Sequence, residues 1–236
     1  MNPTAAILLI GDEILSGRTQ DSNGHYLAKR LTEAGIDLKE MRVVSDEHAA
    51  IKAAVNALRQ RFDHVFTSGG IGPTHDDITA DAIADAFGVG IDVRADARAM
   101  LAQNYKNPDD LNEMRLRMAR IPDGAALIEN PVSHAPGFQL ENVYVMAGVP
   151  AVFTTMVESL LPGLTGGVPL GSVSVRIDRP EGQVAAALAE IAKAFPDIAI
   201  GSYPFVTDSG FGTHLVARSP DKARLDQVEK HLRALR

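Results

Sequence analysis

Strand-type and helix-type segments alternate along the first part of this chain, and each strand-type segment ends at a glycine or an acidic residue. In chain order, we predict strands at residues 5–11, 37–46 and 64–70, and helices at residues 23–35, 47–62 and 76–88. Such alternation produces a parallel sheet with helices on both faces. The sequence therefore predicts an α/β fold in which a mostly parallel sheet is sandwiched by helices.

Polar residues follow the predicted strands at their carboxyl ends. Ligands of parallel sheets bind beyond these ends, so we expect the loops that follow the strands to form one rim. The rim would contain Gly11, Asp12 and Glu13 after the first strand, Asp46 after the second, and Ser68, Gly69 and Gly70 after the third.

The rest of the chain predicts more of this domain and then a second, smaller one. We assign amphipathic helices broken near residues 107–108 to residues 94–122, short strands to 124–150, and a helix to 151–164. Five Gly or Pro residues between Pro162 and Pro169 indicate a boundary. The order β-α-β-β-α follows. We therefore predict a catalytic domain at residues 1–165 and a small α+β domain at residues 171–236.

Composition excludes several classes of function. The 236 residues include no cysteine, so there is neither a disulfide framework nor thiolate chemistry, and a reducing cytoplasm is expected. The net charge is −7 without a long run of one sign, which argues against nucleic acid as the main partner. No apolar run has the length of a signal peptide core or of a membrane span.

The loop "SGGIGPTHDD" at residues 68–77 predicts a phosphate site. Its glycines allow backbone amides to approach a ligand closely, and amides before a helix attract anions. Asp76 and Asp77 would repel phosphate unless a divalent cation lay between them. The loop lacks the Gly-Lys-Ser/Thr ending of a Walker motif. Alternatively, one of the two aspartates is simply the N-cap of the next helix.

Other polar residues near the strand ends have similar alternatives. Asn23 and Asp46 precede predicted helices, so each is either a ligand contact or an N-cap. The loop at residues 130–138 is either a clamp over a ligand or a plain turn. Gly148, Val149 and Pro150 open a helix whose amides could face phosphate. The histidines, among them His25, His75 and His134, show no zinc-type spacing and are more simply structural.

Five motifs in a fixed order resemble the competence/damage-inducible protein A (CinA) family. They are GDEILSG with the following DSN, VVSD, GGIGPTHDDIT, NP with the following APGF, and GVP, and together they cover about residues 4–165. The resemblance implies the fold of the molybdopterin-binding MoaB and Mog proteins. The segment GSYPF at 201–205 resembles the small second domain of the same family. The C-terminal amidase domain of many relatives is not expected here.

The resemblance also implies an activity. CinA-like domains imply metal-dependent hydrolysis of ADP-ribose to AMP and ribose 5-phosphate, related domains of FAD synthases imply FAD hydrolysis, and Mog-like proteins imply molybdopterin binding or adenylylation. By this resemblance the metal, Mg²⁺ or Co²⁺, and the catalysis are assigned to Asp46, Asp76 and Asp77. The substrate is assigned to Gly11, Asp12, Glu13, Asp21, Asn23, Ser68, Gly69, Gly70, Gly72, Pro73, Thr74, Asn130, Pro136, Gly137, Gly148, Val149 and Pro150.

Some alternatives remain open at the level of sequence. A phosphorylated ligand, either a nucleotide or a pterin, could be bound without turnover, because a phosphate cradle serves both purposes. The resemblance implies a homo-oligomer of unspecified size. The chain departs from the family at Ile71, where leucine is usual, and at "MAGVPAVF" (146–153), where the family tends to have MPGVPxEM. The second departure removes a proline and a carboxylate beside the fourth strand, which concerns the choice of substrate.

Overall fold

The computed structural model describes residues 2–207 and 210–236, and these form two compact units, residues 1–167 and 168–236. The strands are β1 Thr4–Ile10, β2 Asp37–Val44, β3 His64–Ser68, β4 Ile91–Val93, β5 Arg120–Pro122, β6 Ala126–Ile128, β7 Gly137–Leu140, β8 Val143–Met146, β9 Gly171–Ile177, β10 Ala199–Thr207 and β11 Gly210–Ser219. The helices are α1 Asp12–Leu15, α2 Asn23–Glu33, α3 His48–Arg59, α4 Thr79–Phe87, α5 Ala95–Ala102, α6 Glu113–Leu116, α7 Pro150–Leu160, α8 Glu181–Ala194 and α9 Lys222–Arg233.

The first unit is built on a six-stranded sheet in the order β2-β1-β3-β8-β7-β6. The pairs β1–β2, β1–β3 and β3–β8 are parallel, whereas β7 runs antiparallel to both β8 and β6. The predicted mostly parallel α/β sheet is thus confirmed. The antiparallel strands are short and adjacent in the chain, so a hairpin connection suffices for them.

Helices cover both faces of this sheet because β1 is apolar on both sides. Ala6, Leu8 and Ile10 pack into one core with helices α3 and α4, while Ile7 and Leu9 pack into another with α2 and α7. Residues 5–10 are all at most 5% exposed. A continuous apolar run is therefore what a strand at this place in the sheet requires.

The second unit is a three-stranded antiparallel sheet, β10-β11-β9, with α8 and α9 packed on one face. Its element order, β9-α8-β10-β11-α9, is that of the small α+β domain expected from the sequence. The final helix begins after Asp221, whose side chain accepts a hydrogen bond from the Arg224 amide at 3.1 Å and caps the helix.

Two segments differ from the sequence prediction. Helix α4 begins at Thr79, so Asp76 and Asp77 lie before the helix and neither caps it. The segment 94–122 contains the helices α5 and α6 on either side of residues 107–108, as predicted, together with two 3₁₀ turns. It differs in that it ends in β5, which pairs with β4 as a separate two-stranded sheet. Tertiary pairing overrode a weak helical pattern there, since a three-residue strand has no periodicity to detect.

Among the described residues, no helix has both the length and the apolar character that a membrane span needs. The longest helix, α8, has 14 residues, fewer than the roughly 20 that cross a bilayer.

The core contacts of helix α2 predict a matched pair of variants. Leu31 is fully buried, whereas Leu15 is 55% exposed. We expect Leu31→Ala to lower the free energy of unfolding by about 2–5 kcal/mol, because it removes packed methyl groups and leaves a cavity. Leu15→Ala should change it by no more than about 0.5 kcal/mol. Urea unfolding followed by circular dichroism measures both, and equal losses would contradict the assigned core.

Candidate functional site

A cleft lies at the carboxyl ends of the parallel strands, at the point where their order in the sheet reverses. Strand β1 has β2 on one side and β3 on the other, so the loops that follow them diverge and leave a crevice. Two hydrogen bonds join neighbouring strand ends: the Gly11 amide donates to the Val44 carbonyl at 3.2 Å, and the Gly69 amide donates to the Met146 carbonyl at 3.1 Å. The predicted meeting of the strand ends at one rim is thereby observed.

Glycines let bare backbone form the floor of this crevice. Gly69 has a φ of +112° and Gly70 a φ of +70°, conformations that side chains rarely adopt. A Cβ atom at residue 69 would lie 2.1 Å from the carbonyl oxygen of Ile10, and one at residue 70 would lie 2.1 Å from Oγ1 of Thr79. Neither glycine can be replaced without moving a neighbouring strand end or the start of α4.

The crevice opens into a cavity of about 480 Å³. Eleven of the residues predicted from the sequence line it: Glu13, Asp46, Gly69, Gly70, Gly72, Pro73, Asp76, Asp77, Asn130, Gly148 and Val149. Nine predicted residues are not part of its lining: Gly11, Asp12, Asp21, Asn23, Ser68, Thr74, Pro136, Gly137 and Pro150. A narrower cavity of about 50 Å³ shares Ile10, Glu13 and Gly148 with it and includes Asp21, Asn23, Ser68 and Pro150.

Asp46 is held at the cleft by a hydrogen bond to a neighbouring loop. Its Oδ2 accepts a hydrogen bond from the Asp12 amide at 2.9 Å, which joins the end of β2 to the start of α1. Burial raises the pKa of Asp46, and the charges of Asp12, Glu13 and Asp76 raise it further against the opposing effect of that hydrogen bond. Asp46 is not the N-cap of α3, a position that Glu47 occupies. Acidic groups therefore gather here at an electrostatic cost.

Asp77 stabilises the glycine loop from within. Its carboxylate accepts hydrogen bonds from the amide of Thr74, at 2.8 Å, and from the hydroxyl of the same residue. Its carbonyl accepts a bond from Nη2 of Arg117 at 3.0 Å, and the Nε atom of Arg117 is buried without a hydrogen-bond partner. Asp76 is 63% exposed, and both aspartates line the cavity.

The side chains of Asp21 and Asn23 make hydrogen bonds to other parts of the protein. Both carboxylate oxygens of Asp21 accept amide hydrogens at the start of α2, from Asn23 at 3.0 Å and from Gly24 at 3.1 Å. Asn23 is 6% exposed, and its Nδ2 donates to Oγ of Ser68 at 2.9 Å and to the carbonyl of Gly148 at 2.8 Å. Asp21 therefore satisfies the helix amides, and Asn23 ties three strand-end loops together.

Asn130 shapes its own loop. Its side chain donates to the Ser133 hydroxyl at 2.7 Å and to the Ala135 carbonyl at 2.9 Å, and it accepts from the amides of Val132 and Ser133. His134 follows with a φ of +54°, so the loop is sharply turned. Gly137 lies in β7, where a Cβ atom would lie 2.4 Å from the Val145 carbonyl oxygen. Its role is therefore sheet packing.

Helix α7 opens at the cleft as the sequence predicts. Pro150 is its first residue, and Gly148 and Val149 line the cavity. The departure from the family motif falls in the same wall, because Ala147 and Val152 also line the cavity. Val152 stands where the family motif has a carboxylate, which makes this wall of the cleft more apolar.

Seven lining residues were not among the predicted site residues. Six of them lie within segments that the sequence singled out, namely Ile10, Ile71, Ser133, Ala135, Ala147 and Val152, whereas Met118 had no signal. Met118 comes from the segment between α6 and β5, far from every motif in the chain. Apolar side chains in a cleft resemble core residues in a sequence, so only the tertiary structure reveals them.

The carboxylates suit a hard divalent cation only in part. Within residues 2–207 and 210–236, no three His, Asp or Glu side chains are arranged to hold a metal ion. Asp46, Asp76 and Asp77 are thus not assembled into one site, since Asp77 is bound to Thr74. Mg²⁺ is commonly held by one or two carboxylates together with phosphate oxygens. Asp46, Asp76 and Glu13 line the same cavity, so two of these carboxylates would supply that incomplete donor set.

This geometry agrees with comparisons to known proteins. Residues 6–166 match the family of the probable molybdopterin-binding domain, and residues 169–235 match the middle domain of FAD synthase. The chain belongs to the family of the probable molybdopterin-binding domain. Within that class it is CinA-like: a crystal structure of CinA from Thermoplasma acidophilum, described as of unknown function, is similar with a TM-score of 0.65 and 33% identity over 68% of this chain and 97% of that one.

Two curated relatives extend the likeness over the second unit. A protein from Archaeoglobus fulgidus is 34% identical over 84% of each chain. A probable FAD synthase from Caenorhabditis elegans is 31% identical over 98% of this chain, which spans 50% of that enzyme's length. The predicted CinA resemblance is confirmed.

The close approach of Thr79 to Gly70 predicts different stabilities for a second matched pair of variants, Gly17→Ala and Gly70→Ala. Gly17 has nearly the same φ, +72°, but no atom lies within 4 Å of where a Cβ atom would stand. We expect Gly17→Ala to cost about 1–2 kcal/mol of unfolding free energy for its left-handed backbone. Gly70→Ala should cost about 1–3 kcal/mol more, because its methyl group also collides with Thr79. Urea unfolding compares them, and equal costs would contradict the tight loop.

The raised pKa of Asp46 predicts a pH-dependent stability difference. Because the folded pKa lies above the unfolded one, the folded chain binds the proton more tightly, and Asp46 lowers stability as pH rises through the folded value. Asp46→Asn should therefore raise the thermal midpoint at pH 7, and the gain should disappear as pH falls below the unfolded pKa of an aspartate. Asp92→Asn, outside the cleft, is the control, and calorimetry at several pH values is the measurement.

Proposed function

We propose that the cleft binds the pyrophosphate of an ADP-containing substrate and hydrolyses its phosphoanhydride bond with the help of a divalent cation. For ADP-ribose, water provides the oxygen of a new P–O bond, one P–O bond of the bridge breaks, and the bridging oxygen leaves with the other phosphate. The products are AMP and ribose 5-phosphate. Mg²⁺ or Co²⁺, when bound, would offset the charge that develops on the phosphate oxygens.

The convergence of carboxylates with a glycine-lined floor carries this proposal. Backbone amides of a glycine loop favour phosphate, whereas Asp46, Glu13 and Asp76 disfavour it. Burial is the main cause of the raised pKa of Asp46, and the neighbouring acidic charges raise it further. A ligand that brings both phosphate and a cation satisfies both parts of the cleft. Perturbed carboxylates in a cavity are also typical of reaction sites.

The residues divide into three roles in this proposal. Asp46 would accept a proton from the attacking water, since burial raises its pKa and makes it a stronger base than an ordinary aspartate. Asp76 and Glu13 would hold the cation together with phosphate oxygens. Asp77 is a positioning residue, because it acts through Thr74 to fix the loop at Gly72, where a Cβ atom would lie 2.6 Å from the Asp77 carboxylate.

A second candidate substrate is FAD. The second unit matches the middle domain of FAD synthase, and the alignment with a probable FAD synthase covers 98% of this chain. FAD contains the same type of bond, and its hydrolysis releases AMP and FMN. A third candidate, binding of a molybdopterin-type ligand without turnover, is favoured by the description of the family to which the first unit belongs.

Product analysis tests the proposal. The pure protein is incubated with ADP-ribose, and separately with FAD, in Mg²⁺, in Co²⁺ and in EDTA, and AMP is separated by chromatography. We expect metal-dependent AMP from ADP-ribose and a rate about 10²-fold or more lower in Asp46→Asn, because proton transfer contributes at least that much.

The controls separate the alternatives. Asp92→Asn, an exposed aspartate outside the cavity lining, should keep the full rate. AMP formation that persists in EDTA would contradict the role of the cation, and a full rate in Asp46→Asn would contradict the role of that carboxylate. Saturable ligand binding without AMP would replace hydrolysis with a binding function.

A further inference from the structure

The segment GSYPF at residues 201–205 lies on strand β10, outside the cleft described above. In the second unit, α8 and α9 pack against the face that carries Val175, Leu215 and Ala217. Alternate residues of the same strands point to the other face. Within the described part of residues 168–236, no helix packs on that other face.

A tyrosine lies on this other face of the sheet, which is the uncovered face of the second unit. Tyr203 stands opposite His214, which in turn stands opposite Arg176, so the three form one row across the sheet. The Tyr203 ring extends over Gly201: a Cβ atom there would lie 3.4 Å from both Cε2 and the hydroxyl oxygen of the ring. The ring therefore stands within van der Waals distance of the place that a side chain at residue 201 would occupy. Tyr203 remains 47% exposed.

An arginine holds the ring in place. Nη2 of Arg218 donates to the Tyr203 hydroxyl at 3.3 Å, and Arg218 itself is exposed. A guanidinium has five N–H donors, so this single bond leaves it able to bind phosphate in a bidentate manner. Arg176 also lines an open cavity of about 550 Å³, together with Asp178, Arg179 and Arg236.

Charge distinguishes this unit from the rest of the chain. Residues 168–236 contain nine Lys and Arg against eight Asp and Glu, a net charge of +1, whereas residues 1–167 contain 14 against 22, a net charge of −8. The uncovered face concentrates arginines around an aromatic ring. Such a surface is complementary to an anion that also has a planar group.

We propose that this face binds a nucleoside monophosphate, with the base stacked on the Tyr203 ring and the phosphate on Arg218. Bases stack on exposed aromatic rings, and arginine binds phosphate through paired hydrogen bonds. The site goes beyond the proposed hydrolysis, because neither the cleft nor a metal ion takes part in it. A second copy of this chain and single-stranded nucleic acid are the competing occupants, and the experiment distinguishes them.

The absence of tryptophan from the sequence gives a site-specific probe. Tyr203→Trp introduces the only indole of the chain at the proposed platform, and its fluorescence is measured in EDTA during titration with AMP. Ribose 5-phosphate, which lacks the base, is the ligand control. Tyr105→Trp is the matched protein control, since Tyr105 also lies beside an arginine, with the Arg115 guanidinium 4.6 Å from its ring centre.

We expect saturable quenching by AMP in Tyr203→Trp, none by ribose 5-phosphate, and none that saturates in Tyr105→Trp. Adding Arg218→Gln should weaken AMP binding about tenfold, and Gly201→Val should do the same by displacing the ring. Unchanged circular dichroism spectra verify that the variants are folded.

Three results would overturn the proposal. The first is quenching that does not saturate, or that is equal in the two tryptophan variants. The second is a response to a short single-stranded oligonucleotide but not to AMP. The third is an indole signal that follows protein concentration, with self-association seen in sedimentation, because a second copy would then occupy the face. A failed hydrolysis assay has no bearing on these readouts, which measure binding without metal.

Discussion

The close contact between Gly69 and the end of strand β1 is the constraint on which the cleft depends. A Cβ atom at residue 69 would lie 2.1 Å from the Ile10 carbonyl oxygen, and one at Gly148 would lie 3.2 Å from the Cα atom of Gly69. Three strand-end loops therefore meet as bare backbone. Any side chain at these positions would separate the loops and open the floor that could hold phosphate.

The gathering of carboxylates at the cleft costs stability, and other interactions in the first unit offset that cost. The first unit has a net charge of −8, and several of its carboxylates surround Asp46. Asn23 holds the end of β3 and the loop before α7 together through two side-chain hydrogen bonds. Apolar packing on both faces of β1 stabilises the sheet that carries these loops. The fold thus tolerates an acidic cavity that a cation and phosphate would complete.

Much of the fold was readable from the sequence, whereas the roles of the polar residues were less so. Continuous apolar runs located β1, β3 and β8, and glycines marked the loop that lines the cavity. Helix capping was assigned less accurately. Asn23 and Asp46 were each either a ligand contact or an N-cap. Asp21 caps the amides at the start of α2 instead of Asn23, and Asp46 bonds across to Asp12 and not to its own helix. Caps and cross-loop contacts use the same residue types, so local sequence cannot separate them.

The sequence by itself determined the parallel sheet, the glycine loop and the acidic strand ends, because periodicity and backbone conformation are local properties. The tertiary structure alone decided which carboxylates face the cavity. Glu13, Asp46, Asp76 and Asp77 line it, whereas Asp12 does not. It also brought Met118 into the cleft and laid Tyr203 over Gly201. These outcomes depend on the direction of each side chain after distant segments pack together, and no local pattern encodes that direction.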